Sequence, residues 1–429
     1  MRAFARPYRW FKGSRVGLIA RWALLLVFSM LPLNGWADDA PAHRAARLSY
    51  VEGDVTVDHL DNTAGDAAQV NMPLAEGARL TTGEEGHAEV EFEDGSAVRI
   101  TPNSSLGLTS LSIDPAENFR TQLTLLHGLV YAKLHASSKY FYVIDAGGEL
   151  VSPVANTTVR INLDQPPATV SVFYGTVQVE RASTPQAGGY KKDVRAGESL
   201  TGDSFDSSQY SVSQSLEPDS WDEWNRSRDQ AAADAALNRT PARDAFTGDQ
   251  GYGWSDLDAN GSWYNVPGQG QVWQPTIAEE TADFDPYGYG SWVPYPSVGY
   301  VWASGYSWGW IPFHCGHWSY WNGFGWGWSP GEGCRRAGCN FGTGSGGVFS
   351  VNIAHPPQNY HAPTRPGHGI GCSIGTCSAA LSASRGARAA SRGDRGVREW
   401  RLAATEHSRN AVTDDPTAPA DGEADAAHE

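Results

Sequence analysis

Between Tyr287 and Gly331 the sequence has no aspartate, glutamate, lysine or arginine. Sixteen of those forty-five residues are aromatic, a composition that suits a buried core or a membrane span. Glycine and proline interrupt every helix that could be drawn through the stretch, which excludes a transmembrane helix there. It therefore folds on itself from short strands and turns, or holds its rings against a partner. Lysine is nearly as scarce: beyond the N-terminal segment there are only Lys133, Lys139, Lys191 and Lys192. Together with a formal net charge of −16, this excludes nucleic acid and anionic lipid as bulk partners, because phosphate is held by concentrated cationic groups. Cysteine is confined to the last third, at Cys315, Cys334, Cys339, Cys372 and Cys377. The two C-x4-C spacings suggest loops closed as Cys334–Cys339 and Cys372–Cys377, with Cys315 left over, although spacing does not fix connectivity.

What is present starts with a targeting pattern. Arg2, Arg6, Arg9, Lys12, Arg15 and Arg21 precede the apolar run WALLLVFSMLPL at 22–33, and Gly35 and Ala37 supply small residues at −3 and −1. Residues 1–37 read as a secretory signal peptide cut after Ala37, which leaves a mature chain without a transmembrane span. A β domain follows over 48–215. HAEVEFE (87–93), AVRIT (97–101), LVYAKLH (129–135), YFYVID (140–145), TTVRINL (157–163) and ATVSVFY (168–174) all alternate, with glycine-containing turns between them. The spacing favours an all-β sandwich or a short β-solenoid and leaves no room for βαβ units. This domain holds 22 acids against 10 bases, and its paired carboxylates read as a solvated face.

The residues Gly53-Asp54-Val55, Leu80-Thr81-Thr82-Gly83, Phe92-x-Asp94-Gly95-Ser96, Leu126-x-Gly128-x-Val130, Val172-x-x-Gly175-x-Val177 and Ala196-Gly197-Glu198 resemble the FecR-like periplasmic domain family in order and spacing. The resemblance covers about 150 residues. It implies a β domain facing the periplasm. In the best-known members that domain relays the state of an outer-membrane receptor to a cytoplasmic sigma factor. Here Ala155-Asn156-Thr157-Thr158 stands where the family usually carries Gly-Thr.

A connecting helix is expected over 218–238. Ser220-x-x-Glu223 reads as a capping box, and Trp221, Trp224 and Arg228 at i, i+3 and i+7 form one docking face. The helix should stop before Thr240-Pro241.

The aromatic region, 251–331, is internally repeated. GSWYNVPGQGQVWQP (261–275), GSWVPYPSVGYVWAS (290–304) and GHWSYWNGFGWGWSP (316–330) superpose without a gap. Each has Gly first, Trp at +2, Gly at +9 and Trp at +12, a pattern that reads as three hairpin units stacked on their neighbours. Similar Trp/Tyr/Gly repeats follow FecR-like domains in other exported bacterial proteins. With few Leu, Ile or Val available, the paired tryptophans are expected to form the core. The rings outside the pattern, Tyr295, Tyr300, Tyr320 and Trp321, are the candidates for ligand contact. Residues 340–429 read as a mostly disordered tail.

No catalytic group stands out. His314-Cys315-Gly316-His317 has soft ligand types but not the pairing of a known metal site, so no metal or cofactor is expected. Gly342-x-Gly344-x-x-Gly347 and Gly371-Cys372-Ser373-Ile374-Gly375 match a dinucleotide and a hydrolase pattern without the strand and helix each needs. The expected protein is mainly β: a FecR-like domain, a connecting α-helix, a small Trp-rich β-repeat module and a tail. Its expected role is that of an exported, non-enzymatic binding or scaffolding element of the cell envelope. Its partner would be an envelope protein or a cell-wall glycan. The alternatives are FecR-type signalling in response to an outer-membrane receptor, and glycan or peptidoglycan binding through the Trp module.

Overall fold

The computed structural model describes residues 44–59, 65–183, 185, 188–247, 253–296, 299–331, 334, 353–364 and 366. The signal-peptide segment, Cys339, Cys372, Cys377 and nearly all of the tail lie outside the described residues.

The fold is mainly β, as expected. The first strands are β1 (Ala46–Glu52), β2 (Val55–Asp58), β3 (Asp66–Ala67), β4 (Pro73–Leu74), β5 (Arg79–Thr82) and β6 (His87–Glu91). Next come β7 (Ala97–Ile100), β8 (Ser105–Ile113), β9 (Phe119–His127), β10 (Leu129–Leu134), β11 (Tyr140–Ala146) and β12 (Glu149–Pro153). The series ends with β13 (Thr157–Asn162), β14 (Thr169–Tyr174), β15 (Thr176–Arg181), β16 (Tyr190–Arg195), β17 (Ser199–Gly202) and β18 (Tyr210–Ser213).

These form two nine-stranded sheets, ordered β18-β17-β14-β13-β10-β7-β6-β1-β4 and β16-β15-β12-β11-β9-β8-β5-β2-β3. The chain passes back and forth between the sheets while both advance in the same direction. The result is a sandwich laid down in solenoid-like order. Alternation explains the packing. Val90, Val98, Val130, Ile161 and Val170 from the first sheet, and Leu80, Leu106, Leu123, Ile144 and Val179 from the second, are all fully buried. Each such side chain contributes about 1.5–3 kcal/mol.

The turn glycines are required by their backbone. Gly175 has φ +75°, and a Cβ there would stand 2.0 Å from the Asn156 carbonyl oxygen. Gly175→Ala is expected to cost about 2 kcal/mol or more, from the left-handed conformation plus the collision. A urea midpoint indistinguishable from that of the parent would contradict this.

Helix α1 (Asp222–Leu237) crosses the outer face of the first sheet, followed by α2 (Pro241–Thr247) and α3 (Ser255–Asn260). The cap position of α1 is Trp221, one residue after Ser220, and it carries no side-chain cap. Asp222 accepts from the Asp219 N–H (2.9 Å) and Asp219 from the Trp221 N–H (2.8 Å), and no side chain caps through Ser220.

The aromatic module contains β19 (Gly261–Val266), β20 (Gly270–Pro275), α4 (Thr276–Glu280), β21 (Gly290–Tyr295), β22 (Gly299–Ser304), α5 (Trp310–His314), β23 (His317–Trp321), β24 (Gly325–Ser329) and β25 (Ile353–His355). Each of the three similar segments forms an antiparallel hairpin. They do not stack in chain order. The first and third hairpins join in one sheet, β19-β20-β24-β23-β25, while β21-β22 stands apart as a two-stranded ribbon.

Among the described residues no helix is long and apolar enough to cross a membrane.

Candidate functional site

The +2 and +12 tryptophans are direct cross-strand partners in all three hairpins: Trp263↔Trp273, Trp292↔Trp302 and Trp318↔Trp328. Trp273 also stands opposite Trp328, so Trp263, Trp273, Trp328 and Trp318 form one ladder across four strands. Trp273, Trp318 and Trp328 are fully buried. Trp308 packs edge-on to Trp273 at 5.0 Å, and Phe284 and Phe313 lie within 6.1 Å of the Trp318 ring. Of the pattern rings, Trp273, Trp302, Trp318 and Trp328 are core, while Trp263 and Trp292 are half-buried against it. The first glycine of each unit has a reason to be there. A Cβ at Gly261, Gly290 or Gly316 would meet the indole of Trp273, Trp302 or Trp328 at 2.7–2.8 Å. Each +12 ring thus folds over the glycine that opens its own hairpin.

The four candidate contact residues do not come together. Tyr295 is only 4% exposed, and its hydroxyl donates to the Arg44 carbonyl oxygen at 2.7 Å, so it is a latch inside the protein. Tyr300 is half-buried on the separate ribbon, opposite Pro294. Tyr320 packs edge-on to Trp326 at 5.5 Å, on the ladder side of its strand. Trp321, its neighbour in the strand, faces the other way and meets Phe324 at 5.8 Å. Adjacent strand residues point to opposite faces, so Tyr320 and Trp321 cannot share a site.

The disulfide joins Cys315 to Cys334, with Cα atoms 5.5 Å apart, in place of the expected Cys334–Cys339 loop. The third hairpin brings the two ends of its own segment together, which spacing along the chain does not reveal. His314 is buried against Trp310, with Nδ1 2.6 Å from the Trp310 carbonyl oxygen. Burial drops its pKa to about 4. Among the described residues no three His, Cys, Asp or Glu side chains gather to hold a metal.

The most heavily charged feature is the outward face of β6, which the alternation alone marks as solvated. Instead the acids on it, and Glu93 in the turn just after it, take arginines from elsewhere in the chain. Glu93 pairs with Arg44 (2.9 Å), Glu91 with Arg47 (3.1 Å), and Glu89 with Arg99 (2.7 Å) and Arg228 of α1 (2.6 Å). Glu89 also begins a cross-strand row, Glu89–Arg99–Tyr131–Arg160, on which α1 lies. Asp229 of the helix pairs with Arg99 (2.8 Å) and Asp222 with Arg160 (2.9 Å). The docking face read from the sequence is present: Trp221 and Trp224 each lie 5.0 Å from His87, and Arg228 sits 4.7 Å over Tyr50.

Arg47 is the hinge pin between the sandwich and the aromatic module. From β1 it reaches Glu91, the Asn71 amide oxygen (3.1 Å), the Ser307 carbonyl oxygen (2.9 Å) and Asp256 of α3 (2.5 Å). Asn71 donates onward to the carbonyl oxygens of Ser304 (3.1 Å) and Tyr306 (2.6 Å). Gln69 donates to Ser291 Oγ at 2.6 Å. Inside the module Arg243 and Asp258 form a buried pair at 2.7 Å.

The two neighbouring acids of β6 respond in opposite ways. Burial works to raise Glu89, but Arg99 and Arg228 overcome it and hold the carboxyl at about 2. Burial raises Glu91, Arg47 opposes it, and Asp256 and Glu89 add to the rise, leaving it at about 7. A folded-state pKa above the unfolded value means that stability falls as pH rises from about 4.5 to about 7. Glu89 acts only below that window, where falling pH removes its contribution. Glu91→Gln should therefore flatten the fall and be more stable than the parent above pH 7, by about 1–3 kcal/mol. Denaturant titrations at pH 5 and pH 8 check this; parallel profiles for parent and variant would contradict it.

Comparison with known proteins places these parts. Residues 78–178, from β5 into β15, match the FecR protein family. Residues 254–359 match a family of unknown function, DUF6600. A search of curated proteins found no match. Two crystal structures, at 1.65 and 2.50 Å, of a Parabacteroides distasonis protein described as a "putative anti-sigma factor" are similar to this chain at 13% identity, with a TM-score of 0.26. The likeness covers 32% of this chain and 59% of that one, so the chain spans less than two thirds of the length of that relative. The chain thus carries a FecR domain within its β-sandwich, followed by a DUF6600 region that takes in all three tryptophan hairpins.

Proposed function

We propose that this is an exported, non-enzymatic protein of the cell envelope, in which the FecR-containing sandwich and the aromatic module act as one binding or scaffolding body. The observation that supports it most is the seat between them. Arg47, Asn71 and Tyr295 tie the module to the sandwich through buried side chains, and Gln69 adds an exposed bond to Ser291. A module fixed in this way presents its outer surface at a constant angle to the sandwich, which suits a scaffold better than a tethered domain. Export rests on the basic and apolar pattern of residues 1–37. The test is retention of the purified protein on peptidoglycan, on polysaccharide and on immobilised envelope extract. Retention on at least one supports the reading; failure on all three leaves no binding role.

The FecR match favours a second reading, signalling in response to an outer-membrane receptor. That route requires a retained N-terminal segment. N-terminal sequencing of the envelope fraction decides it: a start at Asp38 removes the direct transmembrane route.

A further inference from the structure

The five-stranded aromatic sheet has a second face, away from the ladder. On it Tyr264 of β19 stands opposite Val272 of β20, and Gly327 of β24 opposite Ser319 of β23. A Cβ at Gly327 would meet the Val272 side chain at 2.6 Å, the Phe324 ring at 2.9 Å and the Trp321 ring at 3.0 Å. Glycine here lets two aromatic rings lie down on the sheet beside a third. The Phe324 ring is 5.3 Å from Tyr264 at 87° and 5.8 Å from Trp321 at 76°. Tyr264 is 37% exposed, and Phe324 and Trp321 are half-buried. Unlike Trp273, Trp318 and Trp328 of the ladder, none of these three is fully buried.

The polar groups around them are of one kind. The Tyr264 hydroxyl donates to Glu279 of α4 at 2.6 Å, which fixes a carboxylate at the rim. Asn322, exposed in the turn after Trp321, adds an amide. From Trp254 to Gly331 the sequence has no lysine or arginine, and its acids are Asp256, Asp258, Glu279, Glu280, Asp283 and Asp285. An anionic polymer would meet only repulsion there. The axial C–H face of a pyranose packs on an aromatic ring, and its hydroxyls donate to carboxylate and amide oxygens.

From this complementarity we infer that Tyr264, Phe324 and Trp321, with Glu279 at the rim, form a binding surface for an uncharged polysaccharide. The inference rests on the binding role proposed above and gives it a ligand class and a place. It separates this face from Tyr295, which is buried, and from Tyr320, which lies on the ladder side of its strand.

The test is native affinity electrophoresis of the full chain in gels containing hydroxyethylcellulose or soluble chitin oligomers, with alginate as the anionic comparison. The expected result is retardation by at least one neutral polymer and none by alginate. Trp321→Ala should weaken retardation about tenfold, the weight of one aromatic contact. Because Trp321 covers Gly327, Glu279→Gln provides a variant that keeps the packing; it should weaken retardation several-fold with an unchanged near-UV spectrum. Retardation by alginate alone, or unaltered retardation of both variants, overturns the inference. If no neutral polymer retards the protein while envelope extract still retains it, this inference falls and the broader binding role stands. If the extract also fails to retain it, both fall.

Discussion

Replacing Arg47 with alanine is expected to destabilise the protein by about 3–5 kcal/mol at neutral pH, the cost of removing one partner from a buried ionic cluster. The guanidinium is almost wholly enclosed, with a side-chain exposure of 3%. It is shared by Glu91 and Asp256, the Asn71 amide and the Ser307 carbonyl. Alanine would leave two carboxylates facing each other, and would leave the Asn71 amide oxygen and the Ser307 carbonyl oxygen without this donor. The loss should be smaller at pH 5 than at pH 8, because Glu91 already tends to hold its proton and would hold it more tightly without Arg47. Adding Glu91→Gln and Asp256→Asn to the Arg47→Ala chain should recover part of the loss. Denaturant unfolding followed by tryptophan fluorescence reads all three effects. A loss under about 1 kcal/mol, the size of an exposed pair, would mean that the cluster is not enclosed as described.

Trp273→Ala should cost a similar about 3–5 kcal/mol, through the cavity it leaves. Trp273 sits in the middle of the ladder, opposite Trp263 on one side and Trp328 on the other. Its indole N–H donates to the Leu257 carbonyl oxygen at 3.0 Å, linking the ladder to α3. Trp263, at the edge strand and half-buried, should cost clearly less when truncated. Equal, small effects at both positions would show that the ladder is not the core of the module.

Several of these relations could be read from the sequence, and the reasons others could not are physical. Alternation in HAEVEFE marks which residues of β6 face outward, because parity along a strand fixes the face. Parity says nothing about what covers that face. Arg44, Arg47 and Arg228, each more than forty residues from the acid it meets, turn Glu93, Glu91 and Glu89 from a solvated row into a covered one. The Trp spacing of ten residues is legible as a hairpin, and its partners are opposed as the pattern implies. Pairing of the first hairpin with the third is a long-range choice. It is settled by packing, with Gln274 of the first donating to the Phe324 and Trp326 carbonyl oxygens of the third at 2.6 and 3.1 Å. The disulfide follows the same logic: a nineteen-residue separation becomes a short one once the third hairpin closes. Tyr295 lies outside the repeated pattern and so looked free for a ligand, but its phenol spans the joint to Arg44.

The seat of the module on the sandwich is the relation on which the rest depends. Gln69 and Ser291, 2.6 Å apart at their side-chain tips, lie on its two sides and are 222 residues apart in sequence. The most direct measurement is cross-linking of a Gln69→Cys/Ser291→Cys chain with a short thiol-to-thiol reagent, in a background where Cys339, Cys372 and Cys377 are serine. Rapid, near-complete intramolecular linkage in buffer, lost in denaturant, is the expected result. Linkage in buffer no faster than in denaturant would show that the module is not seated on the sandwich, and would contradict the account.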